Sequence, residues 1–202
     1  MNKKQLINRL KEFGFSKEIV LAFQKIDRER FIPEGLKEFA YEDIALPIGY
    51  NQTISQPYTI AFMLSLLDVK DKQKILEIGS GSGYVLALLS ILNPSGRIIG
   101  VEQIKELADK SKEATKNIKN IKIIHKNGSK GLIEEAPFDR ILVSASAKRT
   151  PKELIAQLSD DGILVIPVKS SILRIKKNKE STEIEEFPGF SFVPLVEQNL
   201  KE

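Results

Sequence analysis

Apolar residues in the first 45 positions recur with the spacing of helices. Two stripes show this spacing, and Gly14 separates them: Leu6, Ile7, Leu10 and Phe13, then Ile19, Val20, Phe23 and Ile26. Residues three and four apart share one face of a helix. The pattern therefore predicts two amphipathic helices that pack on the rest of the chain and end near Arg30.

Beyond residue 57, short apolar runs alternate with longer segments of helical spacing. Strands are predicted at residues 74–78, 97–101, 121–124, 140–143 and 163–167, and helices at residues 57–67, 84–92, 104–117 and 151–158. Short apolar strands separated by helices are typical of a parallel sheet with helices on both faces. Residues 50–57 are polar, and we expect a turn there.

The end of the chain has a different pattern. Three strand-like segments, at residues 172–175, 182–187 and 190–193, follow one another without a helix between them. The whole pattern predicts an α/β fold with a doubly wound, mostly parallel sheet, N-terminal helices and an antiparallel C-terminal edge. A chain of 202 residues fits one domain. We divide it into a helical extension with a turn (1–56), a core (57–168) and C-terminal strands (169–202).

The composition excludes several kinds of chemistry. The chain has no cysteine and one histidine, His125, so disulfides, thiolate catalysis and cysteine-bound zinc are excluded. A histidine-rich metal site or a Ser-His-Asp triad would need that one histidine, and we expect no metal. No apolar run reaches the roughly 18 residues of a membrane span, and no apolar signal core follows the N-terminus. These features predict a cytoplasmic protein without a membrane partner.

The net charge of +4 is spread along the chain. Six lysines lie on or beside the predicted helix 104–117, but Glu106, Asp109 and Glu113 alternate with them and no aromatic residue is interleaved. This mixture is typical of a solvated helix face rather than a nucleic-acid surface. We therefore expect no nucleic-acid partner.

A glycine-rich turn, Gly79-Ser80-Gly81-Ser82-Gly83, follows the first predicted strand of the core. Glycines let a ligand approach the backbone, and open α/β sheets bind ligands at the carboxyl ends of their strands. The Gly-x-Gly-x-Gly spacing lacks the third glycine of the dinucleotide motif Gly-x-Gly-x-x-Gly. Glu77, in the strand before the turn, would repel a pyrophosphate, but it can order the loop or meet an ammonium group. The motif thus favours S-adenosylmethionine, with Glu77, Gly79, Ser80, Gly81 and Gly83 at its site.

Two further segments are expected at the same edge of the sheet. Glu102 ends the next strand, where a carboxylate can accept hydrogen bonds from a ribose diol, and we assign the adjacent Gln103 to the same site. Asn127-Gly128 follows the third strand. The Asn127 amide can accept from an adenine amino group and donate to a ring nitrogen. An ordinary Asn-Gly turn is the alternative interpretation.

The segment Leu46-Pro47-Ile48-Gly49-Tyr50-Asn51-Gln52-Thr53-Ile54-Ser55-Gln56-Pro57-Tyr58 resembles the protein-L-isoaspartate O-methyltransferase family. Further matching segments are Arg30-Phe31-Ile32-Pro33, Ala40-Tyr41, the glycine turn, Pro137-Phe138-Asp139-Arg140-Ile141, Ile166-Pro167-Val168 and Phe190-Ser191-Phe192-Val193-Pro194-Leu195. They occur in the family's order from about residue 30 to 195. The string from Gln52 to Pro57 is the specific element, because many methyltransferases share the glycine turn.

The resemblance implies repair of damaged protein. Members of the family methylate the free α-carboxylate of isoaspartyl residues with S-adenosylmethionine, and S-adenosylhomocysteine is the product. The ester then cyclises to a succinimide that can reopen as normal aspartate, so the partners are isoaspartyl-containing peptides and proteins. By the same resemblance, Ser55 is the active-site serine and Thr53 and Ile54 contact the cofactor. Phe192, Val193 and Pro194 would help to hold the substrate peptide.

Several alternatives stay open at this point. Ser55 can instead be the N-cap of the helix that starts at Pro57, and residues 192–194 can be an ordinary edge strand. The chain departs from the family's usual pattern at Lys126-Asn127-Gly128, where Gly-Asp-Gly is usual, and at Lys169, where glycine is common. A methyltransferase for a small molecule or RNA, or a weakly active S-adenosylmethionine-binding module, would also fit. The sequence does not indicate an oligomeric state.

Overall fold

The N-terminal part of the chain is helical, as the apolar stripes predict. The computed structural model describes residues 1–179 and 181–196. Helix α1 (Lys3–Glu12) is capped by Asn2, and helix α2 (Lys17–Lys25) is capped by Ser16. Both helices bury their stripes, although Phe13 is 47% exposed and packs its ring edge-on against Tyr58. Two 3₁₀ helices, Arg28–Phe31 and Glu34–Phe39, lead to the main body.

The main body is a seven-stranded sheet with the order β5-β4-β3-β6-β7-β8-β9. Its strands are β3 (Lys74–Ile78), β4 (Arg97–Glu102), β5 (Ile121–His125), β6 (Phe138–Val143), β7 (Leu158–Val168), β8 (Ser171–Lys177) and β9 (Thr182–Pro188). The first five strands in the sheet pair in parallel, whereas β8 and β9 pair antiparallel. This architecture confirms the predicted fold class.

Helices cover both faces of this sheet. They are α3 (Pro57–Leu67), α4 (Tyr84–Leu92), α5 (Lys105–Thr115) and α6 (Lys152–Ala156). Ile75 of β3 belongs to the apolar cluster that includes residues of α3, α4 and α5, whereas Leu76 and Ile78 pack with Leu154 of α6 on the other face. This alternation follows from the two-residue period of a strand. Within the described residues, no helix is long and apolar enough to cross a membrane.

The sheet contains a topological switch point at β3. The chain runs from β3 to β4 and β5 on one side of the sheet, then returns to place β6 on the other side. Ligands bind in open α/β sheets where the strand order reverses in this way, outside the carboxyl ends of the strands. The fold therefore places the glycine turn after β3 at the expected position of a ligand.

The structure corrects three predicted segments. Residues 50–57, expected as a turn, include part of a hairpin formed by β1 (Leu46–Gly49) and β2 (Gln52–Ile54). Tyr50 and Asn51 join its strands, both with φ of 56. Hairpin turns with positive φ usually contain glycine, and because neither Tyr50 nor Asn51 is glycine, the hairpin was not predicted.

The strand predicted at residues 190–193 was wrong. Gly189 has φ of 96 and bonds back to Ser170, which turns the chain away from β8. In place of a strand, one parallel bridge links Pro194 to Ser146. The predicted helix at 151–158 is also shorter, since β7 already begins at Leu158.

Candidate cofactor and substrate site

The glycine turn is a tight loop tied to the neighbouring strand β4. Gly79, Gly81 and Gly83 all have positive φ, at 77, 51 and 85. The amides of Gly79 and Ser80 both donate to the Val101 carbonyl, at 2.8 and 3.2 Å. A side chain at Gly83 would collide with Ser111 Oγ. Glycine is therefore required here both for the backbone conformation and for the close approach of α5.

Glu102 holds the same loop from the end of β4. Its Oε2 accepts from the Gly81 amide at 2.8 Å, and its Oε1 accepts from the Ile104 amide at 2.9 Å. The side chain is only 5% exposed. Each carboxylate oxygen has further lone pairs, so Glu102 can order the loop and still accept from a ligand hydroxyl.

Glu77 is a buried carboxyl group with one free oxygen. Its Oε1 accepts from Ser144 Oγ at 2.8 Å, whereas Oε2 has no hydrogen-bond partner in the part of the chain that the structure describes. Burial raises the pKa of Glu77 to about 8, against the lowering effect of the Ser144 bond, and the charge of Glu102 raises it further. A buried polar atom of this kind calls for a partner, and a cationic group would stabilise the ionised carboxylate.

Two adjoining cavities surround the loop. The first is lined by Thr53, Ile54, Ser55, Glu77, Gly79, Ser80, Gly81 and Ser144, among others. The second is lined by Glu102, Gln103, Asn127, Gly128 and residues 193–196, and it shares Thr53, Gly79, Gly81 and Ser144 with the first. The structure therefore brings the predicted cofactor residues to one place. Gly83 is the exception, since it lies behind the loop, against α5.

A third cleft opens beside the first cavity. It is lined by Ala45, Thr53, Ser55, Gln56, Thr59, Ser144, Ser191, Phe192 and Val193. Ser55 thus borders both this cleft and the cavity that contains Glu77. Two of the three predicted substrate residues, Phe192 and Val193, line the cleft. The third, Pro194, lines the cavity on the Asn127 side of the loop.

Ser55 is held by its backbone and is not the helix cap. Helix α3 has Gln56 as its N-cap residue without a side-chain cap bond. Asp43 Oδ1 accepts from the Tyr58 amide at 2.8 Å instead. The capping interpretation of Ser55 is therefore wrong, and the Ser55 hydroxyl is not needed for the helix.

Arg28 fixes the position of Ser55, and the sequence pattern did not reveal it. This side chain is fully buried, and its Nη1 donates to the Ser55 carbonyl at 2.9 Å. Its Nη2 donates to the Ile44 carbonyl at 3.3 Å, and the guanidinium lies 5.4 Å from the centre of the Tyr84 ring. Burial lowers the pKa of Arg28 to about 10, and nearby Tyr84 and Asp43 counteract this effect. Ser144, which lines all three cavities, was likewise missed.

The two departures from the family pattern lie in different surroundings. Lys169 has φ of 55, and its side chain is exposed. The left-handed backbone there explains why glycine suits this position. Asn127 lines the second cavity, and its Oδ1 accepts from the Ser129 amide at 2.9 Å. Asn127 thus forms the Asn-Gly turn of the alternative interpretation, and it also borders the site.

The fold and the loop define a class. A class I S-adenosylmethionine-dependent methyltransferase has a glycine loop after the first core strand, an acidic residue in that strand and another at the end of the next strand. This chain has all three features in Gly79–Gly83, Glu77 and Glu102. The model of the protein-L-isoaspartate(D-aspartate) O-methyltransferase family matches residues 1–200. The chain belongs to this family, which confirms the resemblance and the expected enzyme class.

Individual relatives agree with this assignment. The protein-L-isoaspartate O-methyltransferase of Thermosipho melanesiensis is 45% identical over 201 residues, covering 95% of this chain and 100% of the relative. That of Ignicoccus hospitalis is 39% identical, covering 97% and 98%. A crystal structure of this kind of protein from Plasmodium falciparum, in complex with S-adenosyl-L-homocysteine, has a TM-score of 0.84 at 30% identity and covers 97% of this chain and 99% of that chain.

A longer solved chain of the same description is also similar. It has a TM-score of 0.90 at 25% identity, and the match covers 97% of this chain but 66% of that chain. The family and its relatives confirm S-adenosylmethionine as the expected cofactor. The residues present fit this cofactor, because the free oxygen of Glu77 suits an α-ammonium group and Gly79 and Gly81 line both cavities without side chains.

Proposed function

We propose that this chain methylates the free α-carboxylate of L-isoaspartyl residues, and that the carboxylate binds beside Ser55. One observation carries the proposal. The cleft that contains Ser55, Phe192 and Val193 shares Thr53 and Ser144 with the cavity around Glu77. A peptide in the cleft would therefore meet a cofactor in the cavity at Ser55.

The cofactor would extend across both cavities around the glycine loop. We assign its α-ammonium group to Glu77 and its amino-acid part to Thr53, Ile54 and the backbone of Gly79, Ser80 and Gly81. Glu102 and Gln103 would hold the ribose, and Asn127 and Gly128 would border the adenine. Gly83 would contribute through the loop, because its conformation keeps the loop against α5.

The reaction requires no proton transfer by a side chain of the protein. When bound, S-adenosylmethionine would supply an activated methyl group to the carboxylate oxygen, and the products would be a methyl ester and S-adenosylhomocysteine. A carboxylate has a pKa of roughly 4, so at neutral pH it is already a nucleophile and needs no general base. The Ser55 hydroxyl would donate a hydrogen bond to the carboxylate and orient it. Arg28 would keep the Ser55 backbone in place, and the walls of the cleft would exclude water.

A matched pair of peptides tests this function. The protein is incubated with methyl-labelled S-adenosylmethionine and a peptide that contains either isoaspartate or aspartate at one position. Base-labile label on the isoaspartyl peptide alone is expected. Label on neither peptide, from protein that binds S-adenosylhomocysteine, would refute the substrate and favour another acceptor such as a small molecule or RNA.

A variant of Ser55 tests its role. Ser55→Ala should lower kcat/KM for the isoaspartyl peptide by about tenfold or more, since one hydrogen bond to a charged group is lost, and leave S-adenosylhomocysteine affinity unchanged. Ser65→Ala is a suitable control, because this serine lies in helix α3, is not among the residues that line the three cavities, and donates its hydroxyl to the Phe62 carbonyl. Equal loss of turnover and cofactor affinity in Ser55→Ala would argue against an orienting role.

The remaining expectations about the cell rest on the sequence. We propose isoaspartyl-containing peptides and proteins as the partners, without nucleic acid. A cytoplasmic location is proposed because the chain has no cysteine, which is compatible with a reducing compartment.

A further inference from the structure

The amide of Asn127 is almost fully used by the protein itself. Its Nδ2 donates to the Val196 carbonyl at 3.0 Å and to Gln103 Oε1 at 3.3 Å, while its Oδ1 accepts from the Ser129 amide. An amide group has two N–H donors and two acceptor lone pairs. Both donors therefore point to protein oxygens, and one lone pair remains for a ligand.

The Val196 carbonyl belongs to a segment that borders both binding spaces. We call residues 192–196 the C-terminal strap. Phe192 and Val193 line the cleft beside Ser55, whereas residues 193–196 line the cavity that contains Glu102 and Asn127. The position of this strap thus affects the width of the cleft and of the cavity together.

Backbone bonds to Ser146 hold the strap in place. The Ser146 amide donates to the Val193 carbonyl, and the Leu195 amide donates to the Ser146 carbonyl, each at 2.8 Å. Asn127 adds the bond to the Val196 carbonyl, at the last residue of the strap. The strap is otherwise outside the sheet, since Gly189 has already turned the chain away from β8.

The donors of Asn127 cannot be supplied by a carboxylate. An ionised aspartate only accepts hydrogen bonds, and the oxygen in the place of Nδ2 would face the Val196 carbonyl oxygen and Gln103 Oε1. That arrangement is repulsive, so an aspartate of nearly the same shape would release the end of the strap. Asparagine and aspartate are therefore not equivalent at this position in this chain.

We infer that Asn127 is a positioning residue that ties the C-terminal strap across the cofactor cavity and so shapes the peptide cleft. This inference rests on the proposed function for its kinetic consequence but not for its structural one. The remaining lone pair of Asn127 Oδ1 would accept a hydrogen bond from the adenine. The Nδ2 group of the same side chain would hold the strap, which the peptide contacts.

The experiment compares Asn127→Asp, Asn127→Ala and the control Lys126→Gln. The control changes the net charge by the same amount as Asn127→Asp, but Lys126 is exposed and pairs with Glu134 at 2.7 Å. Amide hydrogen exchange at Leu195 is measured first, in protein without added cofactor. Exchange about fivefold to tenfold faster than in the unchanged protein is expected for both Asn127 variants, and more so for the aspartate. The control should exchange at the original rate.

Kinetics at saturating S-adenosylmethionine supply the second measurement. The KM for the isoaspartyl peptide should rise about fivefold in Asn127→Asp with kcat within about twofold, because the strap shapes the cleft but Ser55 is untouched. Unchanged Leu195 exchange in both Asn127 variants would overturn the inference, even if cofactor affinity fell. Absence of methyl transfer in the unchanged protein would refute the proposed function instead, and the exchange result would still decide the role of Asn127.

Discussion

Glu77 should make the stability of the cofactor-free protein depend on pH, and Glu77→Gln should remove that dependence. The carboxyl group is 1% exposed and receives a hydrogen bond from Ser144 on one oxygen only. Its ionised form is therefore poorly solvated, whereas its protonated form fits the site. Glutamine has nearly the same shape as the protonated acid and keeps an oxygen for Ser144.

The size of the effect follows from the raised pKa. Burial raises the pKa of Glu77 from 4.5 to about 8. At about 1.4 kcal/mol for each factor of ten in the protonation equilibrium, this difference corresponds to roughly 5 kcal/mol. Between these two pH values the unfolded chain has lost the proton and the folded protein still binds it. Stability is therefore highest below pH 4.5 as far as this group is concerned, and it falls as the pH rises to about 8.

Denaturant unfolding at several pH values from 5 to 9 measures this contribution. The unchanged protein should lose several kcal/mol of unfolding free energy, relative to Glu77→Gln, as the pH rises from 5 to 8. Glu113→Gln is the control, because it removes the same charge from the exposed surface of α5. Parallel curves for the unchanged protein and Glu77→Gln would refute the reasoning, and would mean that the ionised carboxylate is solvated in the folded protein.

Three other changes test the supports of the site. Arg28→Lys should lower the unfolding free energy by about 2 kcal/mol and reduce kcat for the isoaspartyl peptide, since an ammonium group lacks the planar fork that bonds both Ser55 and Ile44. Urea titration measures the first effect and steady-state kinetics the second, and an unchanged kcat would contradict the role given to Arg28. Gly83→Ala should lower the unfolding free energy by roughly 2–4 kcal/mol, because φ of 85 disfavours a side chain and the new methyl group meets Ser111 Oγ. A melting temperature equal to that of the unchanged protein would contradict this prediction. S-adenosylhomocysteine at 100 times its Kd should stabilise the protein by about 2.7 kcal/mol; an unshifted melting curve would count against cofactor binding.

The elements with strong periodicity were predictable from the sequence. The helix stripes of α1 and α2 and the strands β3 to β7 follow from where apolar residues recur, because burial selects those positions. The hairpin β1–β2 was not predictable, since Tyr50 and Asn51 occupy left-handed positions without the usual glycine. The strand expected at residues 190–193 failed for a related reason. Its residues Phe192 and Val193 line the cleft beside Ser55 instead of pairing in the sheet.

The local chemistry of the cofactor site was also visible in the sequence. A glycine loop, the acid before it and the acid after the next strand have fixed spacings, because each is attached to a strand end of one parallel sheet. Family resemblance added the substrate and Ser55. These features are local or linear, and a linear pattern can record them.

Tertiary structure decided which groups support that chemistry. Arg28 and Ser55 are 27 positions apart, and Glu77 and Ser144 are 67 apart, yet each pair is joined by a hydrogen bond. Asn127 and Val196 are 69 apart, yet they are joined by a hydrogen bond in the wall of the second cavity. No periodicity encodes such contacts, because they depend on how the sheet order and the turn at Gly189 bring distant segments together. The sequence thus determined the fold class and the residues of the loop, while the folded chain determined the free oxygen of Glu77, the support of Ser55 and the strap over the site.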